Sequence, residues 1–143
     1  MKKLILIIAV LILIGIGYYF FRNNQIRGEY QRTVNSEVNA SERQFQNGIS
    51  ELAQNYLKDN QFFSVTIGTF RDSDTASTEM SRLIKMRNPS RIHLTDRYVY
   101  YMEQGGQLYF YQSENKILLI TSSASKESSD LFVIWLNGQY EPL

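Results

Sequence analysis

The sequence predicts an α+β protein: an N-terminal transmembrane helix, then a long amphipathic helix packed on a mainly antiparallel sheet of about five strands, with one short extra helix. Three observations predict it. Residues 4–21 form an uncharged run, "LILIIAVLILIGIGYYFF". Residues 29–58 carry apolar side chains three, four or seven apart and no proline. From residue 61 onward, short apolar runs alternate with polar or glycine-bearing turns, too short for the crossovers that parallel strands need.

As a helix, the run 4–21 rises about 27 Å, close to the hydrocarbon thickness of a bilayer. Tyr18, Tyr19, Phe20 and Phe21 gather at one end, as in an interfacial aromatic belt. A signal-peptide cleavage site wants small residues after the apolar run, and here bulky aromatics lead into "RNNQIRG". The segment therefore reads as an uncleaved anchor over 1–21, with the membrane as a partner through residues 4–21. Lys2 and Lys3 favour a cytoplasmic N-terminus, although Arg22 and Arg27 nearly balance them. The expected location is the inner (cytoplasmic) membrane, single-pass, with the C-terminal domain outside the cytoplasm. Residues 22–28 form a polar joint containing Gly28, and residues 29–143 the extracytoplasmic α+β domain.

Within that domain, Val34, Val38, Phe45, Ile49, Leu52 and Tyr56 make a narrow stripe opposite Arg32, Glu37, Glu42, Arg43 and Glu51. That spacing predicts one amphipathic helix from Glu29 to about Lys58, weakened at Gly48. A coiled coil would need the repeat to persist, and Ser41 interrupts it. "QFFSVTIGTF" (61–70) alternates Phe63, Val65 and Ile67 as a strand does. "RDSD" supplies helix N-caps, "TASTEMSRLIKMR" reads as a short helix with Ala76, Met80 and Leu83 inward, and Pro89 ends it. Four strands are then expected: one begun by Ile92 and Leu94 and continued by Tyr98, Tyr100 and Met102, then "LYFYQ", "ILLITSS" and last "LFVIWL".

The chain has 143 residues, a net charge of +1, no cysteine and one histidine, His93. So balanced a charge selects no nucleic acid. Without cysteine there are no disulfides, thiol nucleophiles or thiolate metal sites, and one histidine makes a nucleophile–His dyad hard to build. Asp72 and Asp74 are the tightest acidic pair, but the glycine and distant glutamate of a calcium loop do not follow. No catalytic, cofactor-binding or metal-ligating residue is expected, and no cofactor; the protein reads as a non-enzyme.

Two surfaces remain as binding candidates. Arg82, Lys85, Arg87, Arg91 and Arg97 fall close together, opposed only by Asp96, and form a candidate patch for an anionic partner. "RYVYYMEQGGQLYFYQ" (97–112) folds into a hairpin about Gly105-Gly106. Its alternation places Tyr98, Tyr100, Leu108 and Phe110 toward the core. Tyr101, Tyr109 and Tyr111 then point outward as a candidate aromatic interface.

"VTIGTFRDSDTASTEMSRL" (65–83) resembles the first half of a SPOR domain, a periplasmic module that binds denuded peptidoglycan glycans. Gly68, Phe70, Ala76 and Leu83 match its strand-ending Gly-x-Phe motif and helix positions, and the resemblance implies a cell-wall ligand. The second Gly-x-Phe motif and second helix of such a domain are absent here. The order of elements also resembles a type IV pilin, without the leader cut or the glutamate near the start of its apolar helix. The expected function is a membrane-anchored extracytoplasmic interaction module, an accessory subunit of a bacterial envelope complex that meets a protein partner or cell-wall polymer. A SPOR-like peptidoglycan-binding domain and a pilin-like assembly subunit are the alternatives.

Overall fold

The computed structural model describes residues 10–19 and 30–139. Residues 10–19 form a helix, α1, with every side chain exposed. The remainder builds β1 (Gln31–Glu37), β2 (Ser50–Lys58), β3 (Gln61–Thr69), α2 (Ser73–Arg87), β4 (Ser90–Ile92), β5 (Val99–Glu103), β6 (Gln107–Ser113), β7 (Lys116–Ser122) and α3 (Lys126–Gln139). The strands form one seven-stranded sheet in the order β1-β2-β3-β7-β6-β5-β4, antiparallel at every pairing.

Directly opposed residues of an antiparallel pair share a face of the sheet. The register Gln54↔Val65↔Ile120↔Tyr109↔Tyr101 therefore runs across one face, and Asn55↔Ser64↔Thr121↔Leu108↔Met102 across the other. α3 covers the first face: Phe132 stacks on Phe63 with ring centroids 4.4 Å apart, and Tyr56 and Trp135 meet edge to face at 5.4 Å. α2 covers the second: its Ser77 Oγ lies 3.2 Å from Gln112 Oε1, and Ala76, Met80 and Leu83 are buried beneath it. The core is thus double, one apolar layer on each side of β3, β6 and β7.

This architecture corrects the expected one. Among the described residues no helix is long and apolar enough to cross a membrane. That finding overturns the transmembrane, single-pass and signal-anchor readings and the inner-membrane location built on them. Of the expected anchor, residues 1–9 and 20–21 lie outside the described residues, as does the joint 22–28.

Where one long helix over 29–58 was expected, residues 31–58 hold β1, a 3-10 turn at Ala40–Glu42, and β2, and the sheet has seven strands rather than about five. β2 returns into β3 through Asp59 and Asn60, with Lys58 opposite Gln61. Both turn residues have positive φ, 49° and 61°, the conformation that a two-residue hairpin demands and that Asp and Asn tolerate. The alternation of β2 is disguised because two of its buried positions are polar: Glu51 is 1% exposed and Gln54 3%.

The expected last strand, "LFVIWL", lies inside α3. Ser125 starts that helix, its Oγ accepting the Ser128 amide at 3.2 Å. Ser129, Phe132, Val133 and Leu136 are buried at the spacing of one helical face, while Leu131 and Ile134 are exposed. The strand at 61–70 is β3 and the short helix is α2. Asp72 caps the start of α2, and Asn88 ends it in the left-handed region at φ 46°, immediately before Pro89.

Candidate functional site

Buried ionisable groups are where an active site would place its chemistry. Glu51 accepts the backbone amides of Gln44 at 2.9 and 3.1 Å and of Phe45 at 3.2 Å. Glu79 accepts the Gln46 amide at 3.1 Å and holds Arg82 through two contacts of 2.6 and 2.7 Å. The two carboxylates together anchor the loop before β2. That loop seats Phe45 on Gly68, where a Cβ would come within 2.4 Å of the ring. Tyr109 donates to Asp130 at 2.5 Å, and Lys126 pairs with the same carboxylate at 2.6 Å. Burial, then the bond to Asp130, pushes the Tyr109 phenol far up; burial, then Glu103, pushes Tyr101 up. Both phenols are neutral donors at ordinary pH, the reverse of an activated nucleophile. Among the described residues no cluster of three His, Asp or Glu side chains could hold a metal ion. Asp72 is occupied as a cap, accepting from the Thr75 amide at 2.8 Å and its hydroxyl at 2.6 Å.

The five cations of the expected patch separate into different settings. Arg82 is tied to Glu79, whose hydrogen bonds raise its pKa further. Arg97 lies over the Tyr111 ring on the α3 face, 6.0 Å from its centroid. Arg87 ends α2 and lines a cleft. Lys85 and Arg91 are exposed, and among the described residues neither has a carboxylate partner.

The tyrosines also divide. Tyr100 sits opposite Phe110 with the rings stacked at 5.5 Å, and Phe110 and Leu108 are buried on the α2 face of the sheet. Tyr109 and Tyr111, expected outward, are fully buried because α3 covers their face. Tyr101 is half-buried, bonded to Gln107, with Lys126 5.0 Å above its ring. Tyr98, expected inward, is 56% exposed. It stands just before β5, on the β4–β5 flank, outside the strand register that would fix its face. There the Arg91 guanidinium lies 3.4 Å from the Tyr98 ring centroid, and the His93 ring is 5.4 Å away. The sequence signal for this platform was a cation and two rings near a weak, short strand at the sheet's edge.

A second concave feature opens on the α2 face beyond the helix's last turn. This cleft has a volume of about 580 Å³. Its floor is the polar row Asn55, Ser64 and Thr121 with Leu108 alongside; Arg87 closes one end, and Phe62 and the β5–β6 turn form the rim. Gly106 lets that turn press on β7, since a Cβ there would lie 2.7 Å from the Ser122 carbonyl oxygen.

The fold and these surfaces define an antiparallel α+β domain with one helix on each sheet face and two candidate binding surfaces. No protein-family model matches the chain, and no curated protein or solved structure matches it. The residues that carry the SPOR resemblance have packing roles here: Phe70, Ala76 and Leu83 are buried, and Gly68 lies under Phe45.

Proposed function

We propose that this chain is a non-enzymatic interaction module that engages a protein partner through the outer flank of β4 and β5. The observation that carries the reading is the exposed Arg91–Tyr98 stack, flanked by His93. Tyrosine and arginine dominate binding hot spots, because each offers a large rigid surface with a polar end. An exposed guanidinium with no carboxylate of its own suits an acidic segment on the partner, which it can grip bidentately. The non-enzymatic part of the reading is supported by the engagement of Glu51, Glu79 and Tyr109 with other groups of the same domain.

The test places a photo-crosslinking amino acid at His93 of the full chain, exposed beside the Arg91–Tyr98 stack, and in a second sample at Leu131, which is exposed on α3. A discrete adduct is expected from the His93 position alone, weakening with salt as exposed charges are screened. Arg91→Glu should abolish it without lowering the melting temperature appreciably. Identical adducts from both positions, or an adduct indifferent to Arg91→Glu, would refute the reading.

A further inference from the structure

We infer that the cleft beyond α2 is a binding site for a sugar acid, a carboxylate-bearing polyhydroxylated ring, independent of the flank around Tyr98. Three features of its wall select that chemistry. The first is charge. Arg87 is a cation of the cleft, and among the described lining residues there is no Asp or Glu. Among the described residues no carboxylate pairs with its guanidinium. A ligand carboxylate supplies that partner through the parallel bonds that a guanidinium fork presents. The α2 carbonyl end nearby disfavours anions, so Arg87 is the group on which anion binding there depends.

The second feature is the floor. Asn55, Ser64 and Thr121 come from three neighbouring strands and stand in one row because the register aligns them. Ser64 Oγ donates to Asn55 Oδ1 at 2.9 Å, which fixes the amide's orientation and leaves its NH2 group out of that bond. Short hydroxyls and a fixed amide complement ring hydroxyls. The third is Phe62, 61% exposed at the rim, a flat apolar face of the kind on which the C–H side of a sugar ring packs. A simple anion would leave the floor and Phe62 unused, and a neutral sugar would leave Arg87 unpaired.

The test is a chemical-shift titration of the isotope-labelled full chain with D-glucuronate, D-glucose and acetate, read at the amides of Ser64, Gly105, Gly106 and Thr121. Glucuronate should shift these amides saturably, while glucose and acetate bind at least about tenfold more weakly, the loss expected for one charge-assisted contact or its ring complement. Arg87→Gln should weaken glucuronate by about tenfold or more. Phe62→Ser, at an exposed position that leaves the fold intact, should weaken glucuronate and glucose but not acetate. No saturable shift at these amides, glucuronate no tighter than glucose, or undiminished binding by Arg87→Gln would each overturn the assignment.

Discussion

Tyr98 and Tyr109 belong to one aromatic-rich stretch yet meet opposite surroundings, and the difference can be measured. Tyr109 is wholly buried, its hydroxyl bound to Asp130, whereas Tyr98 is mostly exposed beside Arg91. Tyr109→Ala should cost about 3–5 kcal/mol, as removal of a buried aromatic does. Tyr98→Ala should stay within about 1 kcal/mol, the scale of a surface or cross-strand contact. Urea denaturation of the two variants checks the order. Glu51 offers a second residue-level expectation. Glu51→Ala strands the Gln44 and Phe45 amides, at roughly 1–3 kcal/mol for each left unpaired. The loop carrying Phe45 should then open, visible as lost amide-exchange protection at Gln44 and Phe45.

At the scale of elements, α3 separates helix from strand most cleanly. In a strand, Phe132, Ile134 and Leu136 would share one face, and Leu131, Val133 and Trp135 the other. In the helix, adjacent Phe132 and Val133 are both buried, and Leu131 and Ile134 are both exposed. Alanine at Phe132 and at Val133 should therefore destabilise strongly, and alanine at Leu131 and at Ile134 by no more than about 0.5–1 kcal/mol in thermal melts. The start of α2 gives a pH signature. Hydrogen bonds from the Thr75 hydroxyl and amide, with Arg71 adding to them, hold the Asp72 carboxyl at about 2 rather than its ordinary 3.8. A depressed carboxyl stabilises the fold fully above its unfolded value, and that contribution is lost as pH falls from about 4 toward 2. Asp72→Asn should flatten this part of the acid limb while keeping the cap; an unchanged limb would show that Asp72 does not bind protons differently on folding.

The same elements show what the sequence discloses and what it conceals. β3, α2 and the β5–β6–β7 meander were legible because their apolar periodicity and turn residues agree with their packing. β2 was not, since buried Glu51 and Gln54 hide its alternation while Phe45, Leu52 and Tyr56 imitate a helical stripe. The Asp59-Asn60 turn was the available signal. α3 was hidden by six consecutive apolar residues, although Ser125 and the 129-132-133-136 spacing marked a helix. That one misreading also turned Tyr109 and Tyr111 outward, because it removed the layer that covers them. Of the candidate surfaces, the cationic cluster was visible in composition, but only the fold separates Arg82 and Arg97, held by other groups, from Arg87 in the cleft and Arg91 on the flank.

For the molecule as a whole, the two candidate surfaces depend on a single arrangement: a seven-stranded sheet with α2 and α3 on opposite faces. α3 hides Tyr109 and Tyr111, the end of α2 bounds the cleft, and β4 and β5 carry the Tyr98 flank. If residues 29–58 were helical, the floor residue Asn55 would not align with Ser64 and Thr121, and neither the cleft nor the double core would exist. Backbone chemical shifts and interstrand NOEs of the full chain test this directly. Extended shifts are expected over 50–58, with contacts linking Leu52 to Ile67 and Val65 to Ile120. A continuous run of helical shifts from 29 to 58, without those contacts, would contradict the account.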